Sequence, residues 1–156
     1  MRVNCEAVLV MAHEFGARFQ RRGRGCMVLM GSIVGFQGIA GAANYAATKA
    51  YVLALGQALQ REMGHQGVDV LTLAPGPTNT GFGGRAGMDV SDGASAAEVV
   101  SAALRRLPRG GAMFPGPRAK LLGYGTQLLP RSLRSRLIGQ AMAKMAARPT
   151  PASVSG

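Results

Sequence analysis

The stretch that decides the fold is SIVGFQGIAGAANYAATKA, from Ser32 to Ala50. Tyr45 follows Ser32 by thirteen residues and Lys49 follows Tyr45 by four, among side chains that are nearly all small or apolar. Residues four apart on a helix are neighbours on one face. A loop that begins at Ser32 and a helix that carries Tyr45 and Lys49 would therefore bring three reactive side chains together.

The segments around this stretch alternate between helical and strand patterns. Apolar residues three or four apart predict helices, and short apolar runs predict strands buried on both faces. The predicted elements are helices over Asn4–Phe19, Asn44–Met63 and Ala96–Leu107, strands over Cys26–Met30, Val68–Leu73 and Ala112–Phe114, a loop over 77–93, and basic helical stretches at about 118–129 and 131–147. This order predicts a parallel sheet with right-handed crossovers, at whose C-terminal edge functional groups gather. Ser95 and Glu98 predict a capping box at the start of the third helix.

The composition fits one packed domain. Of the 156 residues, 47% are hydrophobic and 16% are charged, which excludes a disordered chain. The net charge of +11 is uneven, because residues 1–100 hold eight basic and seven acidic side chains, whereas residues 101–156 hold ten basic and none acidic. No aromatic-rich basic platform indicates nucleic-acid binding. The basic last third leaves peripheral contact with an anionic membrane open, although a solvated face or a cover over the substrate cleft is favoured.

The cysteines and the uncharged stretch indicate a cytoplasmic protein. Cys5 and Cys26 lie 21 residues apart without a CxxC partner, so we expect reduced, buried thiols and no disulfide or metal site. Residues 25–48 carry no charge and are long enough to cross a bilayer. Five glycines and several polar side chains in that stretch argue against a membrane span.

The Tyr45–Lys49 pair favours acid–base chemistry. A free tyrosine has a pKa near 10, and a nearby ammonium group lowers the pKa of the phenol toward neutrality. Such a tyrosine could donate and accept a proton while Ser32 holds a carbonyl oxygen by a hydrogen bond. Two simpler explanations stay open: a Tyr-x-x-x-Lys pair can arise by chance, and a turn serine commonly bonds only its local backbone.

Taken together, the motifs resemble the short-chain dehydrogenase/reductase family. The resemblance covers nearly the whole chain but only the C-terminal half of the family. Four motifs in the family's order carry it: VNC with Asn4, MVLMGSIVG with Ser32, YAATKA with Tyr45 and Lys49, and LAPGPTNT with Pro75, Gly76, Thr78 and Thr80. It implies an α/β fold, namely the C-terminal half of a Rossmann-like, doubly wound parallel sheet with extra C-terminal helices. The implied function is the NAD(P)-dependent interconversion of a small carbonyl compound and an alcohol, by hydride transfer to or from the nicotinamide.

The resemblance also implies a role for each site residue. Tyr45 would donate and accept the proton, and Lys49 would lower the pKa of Tyr45 and bind the nicotinamide ribose. Ser32 would position the carbonyl group, and Asn4 would hold a water molecule that relays protons from Lys49. The residues expected to bind the cofactor are Tyr45, Lys49, Pro75, Gly76, Thr78 and Thr80.

One departure from the family affects the expected organisation. No strand followed by the Gly-rich turn that holds the pyrophosphate precedes Asn4, so NAD and NADP cannot be distinguished. We expect a fragment in which residues 1–116 form the catalytic half of a Rossmann-like domain, 117–148 form basic helices of the same domain, and 149–156 form a disordered tail. The alternative is a catalytically inactive remnant that serves as an oligomerisation module.

The resemblance gives expectations for partners and substrate as well. Helices 4–19 and 44–63 would pair copies of the chain into a homo-oligomer. The loop over 77–93 and the last helices would line the substrate pocket, with Gly83, Gly84 and Gly87 making the loop a mobile lid. The apolar side chains of Phe82, Leu121 and Leu122 hint at a hydrophobic substrate.

Overall fold

The computed structural model describes residues 1–147, so the predicted tail over 149–156 lies outside the described residues. The order of elements follows the predicted alternation. A π-helical turn (Arg2–Glu6) leads into α1 (Ala7–Arg22), β1 (Gly25–Met30), a 3-10 turn (Ile33–Phe36), α2 (Ala43–Gly64), β2 (Val68–Leu73), β3 (Thr78–Asn79), α3 (Gly81–Arg85), β4 (Ala94–Ser95), α4 (Ala96–Arg106), a 3-10 turn (Leu107–Arg109), β5 (Gly111–Met113), α5 (Gly116–Gln127) and α6 (Arg131–Ala147).

The main sheet is parallel and has the order β1–β2–β5. In its register, Met30 lies opposite Leu73, and Leu73 lies opposite Met113, so the three strands end at one edge. Strands linked by helices in this way confirm the predicted α/β fold. The first two of these ends lead into the loops that carry Ser32 and Pro75.

Two helices cover one face of this sheet. α1 and α2 pack Ala12, Val52 and Met63 against apolar side chains of β1 and β2. Val52 is completely buried, and burial of a valine side chain stabilises a fold by roughly 1.5–3 kcal/mol. α2 approaches β2 closely at Gly56, where a Cβ atom would overlap the side chain of Thr72.

The other face of β1 is open, so the predictions of a strand buried on both faces and of a buried Cys26 were wrong. Side chains alternate across a strand, so Met27 and Leu29 are buried while Val28 and Met30 are 39% and 49% exposed. On the same side of the sheet, α4 packs on Leu71 and Leu73 of β2. The open face includes Cys26, which is exposed, whereas Cys5 is buried as predicted.

The segment over 77–93 is more regular than the predicted loop. β3 pairs in parallel with β4, and the short helix α3 lies between them. Thr80 starts α3, because its hydroxyl oxygen accepts a hydrogen bond from the Phe82 amide. The predicted capping box is confirmed, since Ser95 and Glu98 satisfy each other's backbone amides at the start of α4.

The C-terminal helices α5 and α6 are both present. The apolar and basic side chains of α6 do not separate onto opposite faces. Ile138 is buried against the residues that follow β1, while Leu133 and Leu137 are exposed. Within residues 1–147, no helix combines the length and the apolar character that a bilayer crossing requires.

Candidate active site

The loops that follow β1 and β2 meet beyond the ends of these strands. Ser32 has an extended backbone and caps the 3-10 turn, with its hydroxyl oxygen 3.4 Å from the Val34 amide nitrogen. The next amide, that of Ile33, donates to the Pro75 carbonyl oxygen over 3.1 Å. This bond ties the predicted catalytic serine to the predicted cofactor loop, so the two motifs are neighbours in space.

Gly35 allows the Ser32 loop to lie against α2. A Cβ atom at Gly35 would be 2.7 Å from the carbonyl carbon of Lys49 and 2.8 Å from its oxygen. Carbon atoms in ordinary contact are about 3.5–4.0 Å apart, so no other residue fits here without movement. The close approach places Ser32 beside the first turns of α2, which carry Tyr45 and Lys49.

Tyr45 is partly buried against the apolar cluster that includes Ile33 and Phe114, and Phe36 packs on the same cluster. Burial raises the pKa of Tyr45 above its ordinary value, and the neighbouring Ser32 hydroxyl opposes this rise without cancelling it. The sequence had predicted a lowered pKa through Lys49, and that expectation was wrong for this structure. The reason is that a phenolate loses solvation in the apolar cluster.

Lys49 is held at the end of β1, where its ammonium group lies over the ring of Tyr45. Its ammonium nitrogen donates to the Met30 carbonyl oxygen over 2.8 Å and lies 5.7 Å from the centre of the Tyr45 ring. Burial lowers the pKa of Lys49, and the nearby Cys5 thiol acts in the opposite direction. The Met30 carbonyl oxygen therefore holds the ammonium group within cation–π distance of the Tyr45 ring.

Asn4 reaches the site through Thr48, which the sequence did not single out. Its side-chain amide donates to the Thr48 hydroxyl over 3.2 Å, and that hydroxyl donates to the Tyr45 carbonyl oxygen over 2.8 Å. Thr48 is only 1% exposed. The sequence does place Thr48 three residues after Tyr45 and directly before Lys49, within the predicted helix. A polar side chain that is buried at such a position needs hydrogen-bond partners, and this requirement could have indicated its role.

The predicted cofactor residues lie along the segment that leaves β2. A Cβ atom at Gly76 would be 3.7 Å from the Ile33 side chain, which is an ordinary van der Waals contact, so the segment lies against the serine loop. The Thr78 hydroxyl donates to the Gly76 carbonyl oxygen over 3.1 Å, and the Thr80 hydroxyl is engaged at the start of α3. Both hydroxyl groups, and the backbone oxygens of Pro75, Gly76 and Pro77, therefore have partners within the protein.

Phe82, which the sequence places in the loop expected to line the substrate pocket, contacts Tyr45 directly. Its ring stacks on the Tyr45 ring, with centroids 6.1 Å apart and planes inclined by 28°. The contact joins residues 37 positions apart in the chain, so no local pattern indicates it. Together these residues form a proton donor, an oriented hydroxyl, an ammonium group and an apolar ring at one edge of the sheet.

Comparison with known proteins decides the family. The sequence model described as short chain dehydrogenase matches residues 1–91. The chain belongs to the short-chain dehydrogenase family. An uncharacterized oxidoreductase of Mycobacterium tuberculosis is similar to this short-chain dehydrogenase, with 33% identity over 134 residues that cover 84% of this chain and 53% of that protein.

Two solved structures are similar to this short-chain dehydrogenase in fold as well as in sequence. One is a short-chain dehydrogenase from Sphingobium yanoikuyae in complex with NADPH, at 29% identity and a TM-score of 0.66, covering 99% of this chain and 56% of that one. The other is the bulky-bulky ketone specific alcohol dehydrogenase from Comamonas testosteroni, at 28% identity and a TM-score of 0.62, covering 98% of this chain and 54% of that one. The chain therefore spans about half the length of the relatives that it matches.

Proposed function

We propose that this chain provides the proton-transfer half of an NAD(P)-dependent oxidoreductase that interconverts a ketone and an alcohol. The observation that carries the proposal is the convergence of Ser32, Tyr45 and Lys49 at the end of β1. The uncharacterized oxidoreductase and the NADPH-bound relative support the same chemistry.

Tyr45 acts as the general acid in ketone reduction. The phenol of an ordinary tyrosine is already protonated at neutral pH, and burial, which raises the pKa of Tyr45, keeps it in this proton-donating form. Ser32 donates a hydrogen bond to the same oxygen and fixes its position. In alcohol oxidation the transfer runs in reverse, and Tyr45 must first lose its proton.

Lys49 and Asn4 support this transfer without touching the reacting carbon. The Lys49 ammonium stabilises the phenolate that forms when Tyr45 gives up its proton, because an opposite charge nearby favours the ionised form. Thr48 holds Asn4 against α2, so that the Asn4 side chain stays beside the first turn of that helix. Lys49 would then pass a proton to the Tyr45 phenolate, and a water molecule held by Asn4 would replace the proton that Lys49 gave up.

The residues beyond β2 fit the nicotinamide end of the cofactor. The segment of Gly76 is tied to the serine loop through the Pro75 carbonyl oxygen, and the Lys49 ammonium at the end of β1 would bind a ribose hydroxyl. The backbone amide of Thr78 is a donor suited to the carboxamide group. When bound, NAD(P)H would supply the hydride, while Tyr45 supplies the proton.

The alternative function is an oligomerisation module without catalysis. It is supported by the large apolar side chains that α1 leaves exposed, which are Leu9, Val10, Met11 and Phe15. Exposed apolar patches of this kind mark surfaces that associate. Pairing of α1 and α2 with a second copy is compatible with either function.

Enzyme assays on the full protein test the proposal. The protein is supplied with NADPH or NADH and a panel of ketones, and oxidation of the reduced nicotinamide is followed by absorbance. Ketone-dependent oxidation supports the oxidoreductase. A folded, self-associating protein that neither binds nor oxidises either cofactor would support the oligomerisation module instead.

A further inference from the structure

The two C-terminal helices and the turn between them carry a group of exposed leucines. Leu128, in the turn, is 90% exposed, which is the highest value among the exposed large apolar side chains that the structure describes. Leu121 on α5 is 75% exposed, and Leu133 and Leu137 on α6 are exposed as well. Single exposed apolar side chains are normal on a protein surface, whereas a group of them marks a surface that associates.

The leucines of α5 lie on the side of the helix that faces away from the protein core. On the inner side, Ala119 and Gly123 are buried, and a Cβ atom at Gly123 would overlap the ring of Phe114. Leu121 and Leu128, here called the leucine pair, lie about half a turn around the helix from Gly123, because each residue advances by roughly 100°. Leu128 shares this side because the backbone is still helical at the end of α5.

The leucine pair lies outside the candidate active site. The inner side of α5 faces that site, since a Cβ atom at Gly76 would be 4.0 Å from the Cβ atom of Ala119. α5 also follows β5, which is the strand at the opposite edge of the sheet from β1. Neither a cover over the substrate cleft nor the open face of β1 therefore accounts for the exposure of the leucine pair.

The charged side chains of residues 116–147 are all basic. They are Arg118, Lys120, Arg131, Arg134, Arg136 and Lys144. Lys120 directly precedes the first leucine of the pair, Arg131 follows the second by three residues, and both are exposed. Arg118 is directed elsewhere, because its guanidinium group donates to the Asp92 carbonyl oxygen over 2.9 Å. Exposed leucines between cations form the combination that binds the surface of an anionic bilayer.

The outer side of α6 repeats this combination. Leu133, Leu137 and Lys144 fall on one side of the helix at 3.6 residues per turn, and all three are exposed. Leucine and lysine thus share a side instead of separating onto opposite faces. A lysine can lay its apolar stem beside such leucines and keep its ammonium group among lipid head groups.

We infer that the leucine pair, with Lys120 and Arg131 beside it, docks the protein on the surface of an anionic lipid bilayer. The leucines enter the boundary between head groups and acyl chains, and the two cations pair with lipid phosphates. A second copy of the chain fits this surface less well, because two surfaces with only basic charges repel each other. The inference goes beyond the proposed ketone reduction and does not depend on it.

Vesicle flotation with the full protein tests the role of the leucine pair. The vesicles hold either phosphatidylcholine with an equal part of phosphatidylglycerol or phosphatidylcholine alone. We expect the wild type to bind the anionic vesicles, and Leu121→Ser with Leu128→Ser to lower the partition coefficient about 10-fold. The control pair Val100→Ser with Leu104→Ser removes two exposed apolar side chains of α4 and should stay within about twofold of wild type. Absence of wild-type binding, or equal binding by the leucine variant, overturns the inference.

The same assay tests the two cations. Lys120→Gln with Arg131→Gln should lower binding to the anionic vesicles by roughly 10- to 30-fold, because each basic side chain at an anionic surface contributes about fivefold. Arg21→Gln with Arg22→Gln removes two exposed charges from the end of α1 and should have a much smaller effect. Equal losses in the two variants would mean that net charge alone attracts the protein, and they overturn the assigned surface.

Tryptophan fluorescence tests insertion without removing the apolar surface. The 156 residues contain no tryptophan, so Leu128→Trp adds an emission that is read against that of wild type. We expect this added emission to shift to shorter wavelength with anionic vesicles and to be quenched by brominated acyl chains, whereas Leu104→Trp on α4 should show neither change. An unchanged Leu128→Trp emission overturns the inference. A shift that appears without lipid as protein concentration rises would show that the leucine pair joins two copies, and it overturns docking on a bilayer.

Discussion

Replacement of Gly35 by alanine should disturb the site through one added methyl group. The new Cβ atom would be 2.7 Å from the Lys49 carbonyl carbon, whereas carbon atoms in contact stay about 3.5–4.0 Å apart. The loop and α2 must therefore separate by roughly 1 Å. Overpacking of this kind costs about 1–3 kcal/mol of folding free energy.

The same movement carries Ser32 away from Tyr45. A misplacement of about 1 Å can lower a reaction rate by roughly 10²-fold. We therefore expect Gly35→Ala to lower the melting temperature by about 2–12 °C, since 1 kcal/mol corresponds to about 2–4 °C in a chain of this size. Ketone reduction should fall by a larger factor than the loss of folded protein explains.

Gly38 provides the control in the same loop. A Cβ atom there meets nothing within 4 Å, and its φ angle is not positive. Gly38→Ala should keep the wild-type melting temperature or raise it slightly, because alanine restricts the unfolded chain. The measurements are thermal unfolding and kcat/KM for both variants. Equal behaviour of Gly35→Ala and Gly38→Ala would refute the packing argument.

Two further predictions concern the groups around Tyr45. Thr48→Val leaves the Asn4 side-chain amide without its acceptor, so we expect the free energy of unfolding, measured with denaturant, to fall by about 1–3 kcal/mol. An unchanged free energy of unfolding would show that the bond contributes nothing. In the cofactor-free chain, the phenolate absorbance that distinguishes wild type from Tyr45→Phe should appear above pH 10, because burial raises the pKa of Tyr45. A midpoint below 10 would mean that Lys49 outweighs burial.

The sequence predicted the order and type of the main elements because their patterns are local. An apolar run that ends in a glycine, as at Met30 and Gly31, indicates a strand wherever it occurs. Ser95 and Glu98 define their capping box within four residues. The strand β2 has the predicted bounds, and the other main elements begin and end within about three residues of them.

Burial and long-range contacts could not be read in the same way. Whether Val28 is covered depends on which helix packs over β1, and α4 lies over β2 instead. The acceptor of Lys49 is a backbone oxygen 19 residues earlier, at Met30, and backbone oxygens carry no sequence signal. The stacking of Phe82 on Tyr45 likewise depends on how α3 folds back onto the site.

The sequence placed the candidate site better than it predicted its electrostatics. Ser32, Tyr45 and Lys49 converge because parallel strands end at one edge and because Gly35 lets the loop approach α2. The direction of the Tyr45 pKa shift depended on the balance between burial and charge, which spacing alone does not reveal. The catalytic roles of these residues stay predictions until they are assayed.

The most direct test of the central claim is the kcat/KM for ketone reduction by Tyr45→Phe in the full protein. Loss of the phenol hydroxyl removes the proposed proton donor but keeps the ring against Phe82, so the rate should fall by about 10²- to 10⁴-fold while the fold persists. Tyr51→Phe makes the same change in the same helix, and it should keep activity within about twofold of wild type. Activity of Tyr45→Phe within about twofold of wild type would contradict the assignment of Tyr45 as the general acid.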